Sequence, residues 1–475
     1  MRYAVLISQR RDIILLNYTQ GQPYRECEEN SPIVIQHSLT IRGINGSAEI
    51  QCRRNCILFL ISGSDFINLT LINLTLSNSD VAVSAKTSIY LFLHECSFRN
   101  NSVGILIEQS TRCFLIVNHS RFHYHQYAGI KLTPCQTSVL RITNSLFYSS
   151  SICQQDEKDP VRGKYELLIN NCSFMGKNEG SQRFGNGVSI YPCATITSIV
   201  INNTIFKNHV GVNHNDYLLW IKDKYVETIK KTTVVVLDRL AFTDNYWKRT
   251  LIYLEAARSK GYSVSLENSL FQNNTGTIEL SISPFIANEY LILRNNTFLH
   301  NRYFPSQGMT GIYATLFFNV GSFQVVSCRF IDNHHGQSAS TGVISISDMA
   351  RVTLNDCYFE YRKDGGGTAI QVLAYPNSTL KILGNNTFNI TELKGAKTIF
   401  IHLPSNNLPS FGAKYRGSVI MDGTLRFICP QGFNITQSKI QKPGQEQNET
   451  IAFTFLNVLC WPCPRKTYSL QRGEV

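Results

Sequence analysis

Apolar residues recur in pairs, two positions apart, along most of the chain. Each pair lies seven and five residues before an aromatic anchor, as Leu91 and Leu93 do before Phe98. A spacing of two places both side chains on the same face of a strand. The anchors recur every 22 to 36 residues, at Leu76, Phe98, Phe122, Phe147, Phe174, Phe206, Phe242, Phe271, Phe298, Phe330, Phe359 and Phe388. A period of this length is typical of solenoids built from stacked coils.

Asparagine recurs three residues before the anchor, at Asn73, Asn144, Asn171, Asn203, Asn268, Asn295 and Asn385. Asparagine tolerates the left-handed backbone conformation that bends a strand, and stacked amides can hydrogen-bond from coil to coil. We expect this ladder to point inward at a turn. A small residue, such as Cys96 or Ser145, usually follows it.

A second asparagine often follows the anchor, as Asn101 follows Phe98, and a glycine then opens another short apolar strand, as at Gly104. Helical periodicity between the strands is missing, and hairpin signals are rare. Strands that repeat in one orientation without crossover helices predict a right-handed parallel β-helix of about a dozen coils. A β-propeller with four antiparallel strands per blade is the alternative.

The repeat predicts four segments. Residues 1–32 form an N-terminal segment, 33–401 the β-helix, 402–455 an irregular exit segment and 456–475 the start of an incomplete cysteine-rich module. The apolar run near Met1 is too short for a signal peptide, because Arg10 and Arg11 interrupt it. No later stretch reaches the ~18 apolar residues of a membrane span. We therefore expect a fragment that lacks both natural ends and has no membrane span.

Cysteine use favours disulfides over metal binding, because the chain has 14 cysteines without the paired spacings and histidines of zinc sites. Candidates near the start are Cys27, Cys52 and Cys56, with Cys52 joined to Cys56 or Cys27 joined to either. Candidates near the end are Cys460 and Cys463. Cys328 and Cys357 occupy equivalent places one coil apart, so they stack as thiols or bond across coils.

Asn-x-Ser/Thr triplets are frequent and favour a secreted, glycosylated protein. An inward ladder amide cannot carry a glycan, so Asn73, Asn171, Asn295 and Asn385 are assigned to the ladder. The predicted glycosylation sites are Asn45, Asn118, Asn202, Asn273, Asn377, Asn434 and Asn448.

The formal net charge of +12 comes from lysines and arginines that are scattered along the chain. A nucleic-acid partner is not expected, since its basic contacts would be clustered. The charge is compatible with a weak attraction to acidic polysaccharide or with a merely basic surface.

The most site-like segment is Asp332-Asn333-His334-His335-Gly336, which superficially resembles the His-Gly motif of polygalacturonases. Polysaccharide lyases and hydrolases cluster acidic residues on one face. The equivalent positions on neighbouring coils, Leu299-His300-Asn301 and Glu360-Tyr361-Arg362, do not supply that cluster, so a loop is expected. Asp364-Gly365-Gly366-Gly367 is interpreted as a turn. Serine-nucleophile and zinc-protease motifs are absent, and no catalytic, cofactor-binding or metal-binding residue is predicted.

The Phe-x-x-Asn repeats followed by Gly-Val-x-Ile, over about Ile33 to Ile401, resemble the repeats of the pectate-lyase-like superfamily and of chlamydial polymorphic outer-membrane protein passengers. The Gly-Gly-Ala-Ile hallmark of the latter is only approximated, by Gly366-Gly367-Thr368-Ala369-Ile370. Near the end, Cys460-Trp461-Pro462-Cys463 and the residues after it resemble the opening of ephrin-receptor-like cysteine-rich modules. These resemblances imply a β-helix fold and further extracellular modules.

Three functions fit these patterns. The leading expectation is a non-catalytic extracellular β-helix of a cell-surface or matrix protein, without cofactors, that binds an unidentified extracellular glycan or protein in adhesion or glycan recognition. The alternative is a secreted polysaccharide lyase, hydrolase or epimerase acting on acidic glycans. A bacterial surface adhesin is the third, and the cysteines disfavour it.

Overall fold

The fold is that of a computed structural model, in which two compact units are distinguished. The first contains Met1–Ala241 and Ser259–Gly261, and the second contains Phe242–Arg258 and Tyr262–Val475. The structure describes residues 1–18, 22–26, 31–52, 56–108, 110–132, 137–154, 164–176, 188–190, 195–211, 217–222, 233–256, 262–282, 291–303, 313–335, 341–361, 368–373, 379–390, 396–402, 419–428, 433–437 and 452–462.

Each regular coil of the first unit contributes three strands to three parallel ladders. In one coil these are Ile89–His94, which carries the aliphatic pair, Ser97–Arg99, which carries the anchor, and Val103–Ile107, which contains the glycine. Each pairs in parallel with its counterpart one coil later. We call these ladders the first ladder, the Phe ladder and the third ladder. The sequence prediction of a right-handed parallel β-helix is confirmed.

The first unit begins with one helix, Arg2–Ile7, and its strands then belong to the three ladders. The first ladder contains Ile13–Asn17, Leu39–Ile44, Ile67–Ile72, Ile89–His94, Arg112–Asn118, Thr137–Thr143, Lys164–Asn170, Thr195–Asn202 and Thr233–Asp238. The Phe ladder contains Tyr24–Arg25, Ala48–Gln51, Leu74–Ser77, Ser97–Arg99, Arg121–His123, Leu146–Tyr148, Ser173–Met175 and Ile205–Lys207. The third ladder contains Ile33–Ile35, Ile57–Ile61, Val81–Ala85, Val103–Ile107, Ala128–Leu132, Ile152–Gln154, Val188–Ile190, Val210–Gly211 and Leu219–Lys222.

The second unit has the same three parallel ladders, but some of its strands are longer. Tyr313–Val326 and Thr341–Asn355 each run from the third ladder of one coil into the first ladder of the next. Its Phe ladder contains Leu270–Gln272, Thr297–Leu299, Arg329–Ile331, Tyr358–Tyr361, Asn385–Ile390 and Thr424–Ile428. The boundary between the units falls inside the strand Ala241–Thr243. The remaining strands are Tyr246–Ala256, Tyr262–Glu267, Thr275–Ile282, Leu291–Arg294, Arg302–Tyr303, Tyr313–Val326, His334–His335, Thr341–Asn355, Thr368–Leu373, Thr379–Leu383, Ala396–His402, Val419–Met421, Phe433–Gln437 and Ala452–Pro462.

The predicted anchors and aliphatic pairs form the core of each unit. Leu91 and Leu93 are fully buried, and Phe98 is 0% exposed. From Phe98 to Phe206 neighbouring anchor rings stack with centroids 4.7 to 5.0 Å apart, and in the second unit the spacing is 4.8 to 5.5 Å. This spacing follows that of the hydrogen-bonded strands, about 4.8 Å, so backbone pairing fixes the ring stack.

The asparagines before the anchor adopt the predicted left-handed conformation, with φ of 52° at Asn171 and 53° at Asn295. Their expected inward orientation is wrong, because both side chains are exposed at an outer corner. There they bond along the row, with Asn171 Nδ2 donating to Asn144 Oδ1 at 2.7 Å. A left-handed residue at this corner turns its side chain outward, and the buried position is the next residue, such as Cys172.

The buried amide ladder is instead formed by the second asparagine, three residues after the anchor. In the second unit Asn245, Asn274 and Asn301 each donate from Nδ2 to Oδ1 of the next asparagine in the row, at 2.9 to 3.0 Å, and Asn333 is the last acceptor. Asn301 Nδ2 also donates to the Phe271 carbonyl at 2.9 Å. Backbone groups at this bend are therefore satisfied inside the coil, as buried polar groups require.

The parallel coils extend beyond the predicted range 33–401 at both ends. Ile13–Asn17 pairs in parallel with Leu39–Ile44, and Thr424–Ile428 pairs in parallel with Asn385–Ile390. The prediction missed the last coil because Phe427 follows Phe388 by 39 residues, outside the period of the other anchors.

The segment predicted to begin a cysteine-rich module at residue 456 starts inside a strand of the second unit. Ala452–Pro462 pairs antiparallel with Ala396–His402 and with Phe433–Gln437. The expected irregular exit segment 402–455 therefore contains regular strands, which sequence periodicity did not reveal because antiparallel pairing breaks the repeat. The rest of the predicted module lies outside the described residues.

Buried thiols line the small-residue position after the outer corner. Cys96, Cys172, Cys328 and Cys357 are free and buried, in agreement with the stacked-thiol interpretation of the last two. Burial raises the pKa of the Cys96 thiol to about 12 and that of the Cys328 thiol to about 11. These thiols are therefore protonated at neutral pH and act as small apolar groups.

Candidate active site

The Phe ladder of the second unit exposes a polar cluster on its outer face. The residues on either side of a buried anchor point outward, since side chains alternate along a strand. Arg329 precedes Phe330, while Tyr358 and Glu360 flank Phe359. Asn389 is in register with Glu360 on the next coil. Three consecutive coils thus bring Arg329, Tyr358, Glu360 and Asn389 to one surface.

Tyr358 is the centre of this cluster. Its hydroxyl donates to Glu360 Oε2 at 2.8 Å and accepts from Asn389 Nδ2 at 3.1 Å. Partial burial raises the pKa of Tyr358, and the hydrogen bond to Glu360 raises it further. The phenol therefore keeps its proton at neutral pH, and the Glu360 carboxylate accepts its hydrogen bond.

Arg329 supplies a positive charge at the same place. Its guanidinium carbon lies 5.4 Å from the centroid of the Tyr358 ring. The Arg329 side chain is exposed, so its donors can reach a bound anion. Arginine binds carboxylates through two parallel N–H groups, which would orient an acidic ligand over the tyrosine.

His300 and Asp332 occupy the adjoining corner, two residues after their anchors. His300 Nδ1 lies 2.8 Å from Asp332 Oδ2, and both side chains are about one-third exposed, at 31% and 29%. The Asp332 amide donates to the Glu360 carbonyl at 3.0 Å, which places this pair one coil before Glu360. Because its carboxylate is engaged by His300, Asp332 holds the imidazole in place.

The expectation that this segment lacks the acidic cluster of polysaccharide lyases and hydrolases stays a prediction. Asp332 pairs with His300 across one coil, and Glu360 follows one coil later. The signal available in the sequence was a common offset from the anchor: His300 and Asp332 both follow theirs by two residues, and Tyr358 and Glu360 flank theirs. The side chains of His334 and His335 lie outside the described part of the structure.

No group of three or more histidine, cysteine or acidic side chains is placed to hold a metal ion within the described ranges. In the same part of the chain, no helix has the length and apolar character that crossing a bilayer requires.

The predicted glycosylation sites are dispersed. Asn45 and Asn273 are exposed at left-handed corners, with Asn45 Nδ2 donating to Asn17 at 3.0 Å and Asn273 Nδ2 to Asp244 at 3.1 Å. Asn118 and Asn202 are half-buried at the ends of first-ladder strands. The remaining sites lie outside the described side chains: Asn377, Asn434 and Asn448.

Of the predicted disulfide cysteines, Cys52 and Cys56 are joined to each other. This is one of the pairings that the sequence left open. Cys27 and Cys463 lie outside the described residues, and Cys460 is described only by its backbone, in Ala452–Pro462.

No family model matches the sequence, and no curated protein matches it. Among solved structures, the chain is similar to the catalytic unit of a thermostable GH87 α-1,3-glucanase from Streptomyces thermodiastaticus, with 10% identity and a TM-score of 0.37, over 80% of this chain and 63% of the glucanase unit. It is also similar to a PL6 alginate lyase in complex with a trisaccharide, with 9% identity and a TM-score of 0.23, over 74% of this chain and 81% of the lyase.

Both similar structures are enzymes, and this finding corrects the expectation of a non-catalytic chain. The chain spans less than two thirds of the glucanase unit's length. At these TM-scores the likeness assigns neither a reaction nor a substrate. The groups that a reaction would use are those of the cluster around Tyr358.

Proposed function

We propose that the chain is an enzyme that cleaves an acidic polysaccharide by β-elimination. The observation that carries the proposal is the Tyr358 hydroxyl, held by the Glu360 carboxylate at 2.8 Å and the Asn389 amide at 3.1 Å. Elimination from a uronate requires a cation at the sugar carboxylate, a base for the neighbouring proton and an acid for the leaving oxygen. Arg329, Glu360 and Tyr358 can fill these three roles.

The proposed step is balanced within the cluster. Arg329 binds the uronate carboxylate and stabilises the charge that builds on it. Glu360 takes the proton from the carbon next to that carboxylate, the carbon–oxygen bond on the following carbon breaks, and Tyr358 protonates the departing oxygen. A carbon–carbon double bond forms between the two carbons. Glu360 then returns its proton to the Tyr358 phenolate across their 2.8 Å contact.

The cluster favours elimination over hydrolysis. A glycosidase of the usual kind needs two carboxyl groups that flank the scissile bond. Here the Glu360 carboxylate faces a tyrosine, and the nearby Asp332 carboxylate is bound to His300. A protonated phenol beside a carboxylate and a guanidinium suits a reaction that abstracts a proton from carbon and needs no water.

The test is incubation of the full chain with polygalacturonate, alginate and hyaluronan, following the ultraviolet absorbance of the new double bond and the release of reducing ends. Tyr358→Phe and Glu360→Gln should each lower the rate by a factor of about 10² to 10⁴. Tyr90→Phe and Glu267→Gln remove the same groups outside the cluster and should retain the wild-type rate.

Reducing ends without the double bond would show hydrolysis and overturn elimination. An unchanged rate in Tyr358→Phe would remove this site from the reaction, and no product from any acidic polysaccharide would overturn the function itself.

We also propose an extracellular location for this enzyme, which the Asn-x-Ser/Thr triplets support. The likeness to surface-protein repeats and to a cysteine-rich module stays an expectation from the sequence.

A further inference from the structure

The first unit carries a second unusual surface on its Phe ladder, independent of the Tyr358 cluster. It consists of Arg99, Arg121, His123, Tyr124 and Tyr148, which we call the Arg–Tyr patch. Arg99, His123 and Tyr148 are in register on three consecutive strands. Arg121 lies two residues before His123, so both point outward on either side of the buried Phe122.

Tyr124 occupies a position that is costly for a tyrosine. Its φ is 56°, in the left-handed region. The equivalent residues of other coils are also left-handed, and they are mostly small or polar, such as Asn78, Asn100, Ser149 and Asn208. Asparagine adopts this conformation readily, whereas a bulky side chain there is strained by about 1 to 3 kcal/mol. The Tyr124 side chain is nevertheless 51% exposed. Core packing therefore does not explain the strain, and strained residues concentrate at ligand sites.

The aromatic rings form a rigid platform. Tyr124 and Tyr148 lie 5.0 Å apart between centroids, with their planes 77° to each other, and His123 lies 6.4 Å from each. Tyr127, 48% exposed, lies three residues beyond Tyr124. Tyr148 and His123 are half-buried and hold the exposed Tyr124 ring in place. The Tyr124 ring therefore offers its apolar face at small entropic cost to a ligand with an apolar face and polar edges, such as a sugar ring.

The charge of the surface is positive. Across the outward positions of the described Phe-ladder strands of this unit, the basic residues are Arg25, Arg99, Arg121, His123 and Lys207, and Glu49 is the acidic one. Glu49 Oε2 pairs with Arg99 at 2.7 Å, and Ser77 donates to Glu49 at 2.7 Å. Arg121 is exposed and has no carboxylate partner among the described residues, so the platform has an uncompensated cation beside it.

We propose that the Arg–Tyr patch binds an acidic polysaccharide, holding a sugar ring on Tyr124, which Tyr148 supports, and its carboxylate on Arg121. The patch is a binding surface, separate from the reacting groups around Tyr358. It shares only the substrate class with the proposed function. A polyuronate fits better than a nucleic acid, because each sugar offers one carboxylate, whereas a nucleic acid requires a neutralised row of phosphates.

His123 gives the binding a pH signature. Burial lowers the pKa of His123, and the positive charges of Arg121 and Arg99 lower it further. The other groups around it are Tyr124, Tyr148 and the neighbouring His125, with Glu49 reached through Arg99. A bound carboxylate favours the protonated ring, so affinity should rise as the pH falls toward the lowered pKa of His123.

The test is calorimetric titration of the full chain, carrying Glu360→Gln to prevent cleavage, with oligogalacturonate. Arg121→Gln and Tyr124→Asn should each weaken binding by about tenfold. The second variant introduces the asparagine that the preceding coil has at this place, Asn100, so the corner keeps its conformation. Arg141→Gln removes an exposed arginine from the first ladder of the same unit and should leave the affinity unchanged. His123→Gln should abolish the rise in affinity at low pH.

Equal affinity in the Arg121 and Tyr124 variants would overturn the proposal, as would an equal loss in Arg141→Gln. Tighter binding of single-stranded DNA or dextran sulfate than of oligogalacturonate would identify an unspecific anion surface and overturn it too. Because the readout is binding to a chain in which Glu360→Gln slows cleavage, this result is separate from the rate measurements on Tyr358.

Discussion

The Phe98 and Phe122 rings stack with centroids 4.8 Å apart and planes only 4° from parallel. Phe122 also stacks on Phe147 at 4.7 Å, so its ring is enclosed on both faces. Each coil of this unit therefore depends on the anchors before and after it.

Replacing Phe122 by alanine should lower the free energy of unfolding by about 3 to 5 kcal/mol, because it leaves a cavity between two rings. Phe122→Leu should cost less, since Leu76 already occupies the equivalent position beside Phe98. Urea denaturation followed by circular dichroism measures both. Tyr3→Ala, at a side chain that is 74% exposed, is the control. Equal stability of the alanine and control variants would contradict the stacked core.

The two asparagine rows should respond differently to substitution. Asn301→Ala removes the donor to the Phe271 carbonyl and the acceptor for the Asn274 amide, and both groups are buried. Each buried group left unsatisfied costs about 1 to 3 kcal/mol. Asn295→Gly removes an exposed contact to Asn268, keeps the left-handed corner without strain, and should cost about 1 kcal/mol or less. Thermal unfolding of the two variants checks this, and the reverse order would contradict the assignment of the interior ladder.

The stability of the first unit should fall in mild acid. His125 is buried, its Nε2 has no hydrogen-bond partner among the described residues, and burial lowers its pKa from 6.5 to about 4. Between these two values the unfolded chain binds a proton that the folded chain does not, so stability is full above pH 6.5 and is lost as the pH falls toward 4. The loss should reach about 3 kcal/mol.

His125→Asn provides the comparison, because Asn101 holds the equivalent place one coil earlier. Urea denaturation above and below this pH window should show the extra acid loss in the wild type only. The same acid loss in both proteins would assign it to other groups.

Asn171 and Asn295 should carry glycans when the chain is expressed through a eukaryotic secretory pathway. Both begin Asn-x-Ser/Thr triplets and are exposed at the outer corner, where the sequence analysis expected inward amides. Mass spectrometry of peptides after enzymatic deglycosylation gives their occupancy. Asn144, at the same corner without a triplet, is the unmodified control, and Asn273 is the exposed comparison. Occupancy at Asn273 but not at Asn171 or Asn295 would show that the corner row excludes glycans.

The periodicity of the sequence predicted the core residues, because a buried aromatic must recur at the same place in each coil. It identified anchors such as Phe298 and aliphatic pairs such as Leu291 and Leu293. It did not determine which of two asparagines faces inward, because both suit a bend and only backbone geometry separates Asn295 from Asn301.

The sequence showed single residues of the candidate active site but not their arrangement. Glu360 and Asp332 stand 28 positions apart in the sequence and meet on adjacent coils through the backbone contact at 3.0 Å. Tyr358 belongs to no motif, and Asn389 belongs only to an Asn-x-Ser/Thr triplet, which does not indicate a reaction. Tyr358 and Asn389 come together only when the strands are in register. The loop lengths between anchors vary too much for this register to be read from the sequence.

The buried thiols can report the opening of individual coils. Since the protonated sulfur of Cys96 in the first unit and that of Cys328 in the second are shielded in the closed fold, an alkylating reagent can reach each one only when its own coil opens. The rate at which each cysteine is modified therefore measures how often its own coil opens. Comparing these rates would show which coils of each unit unfold first.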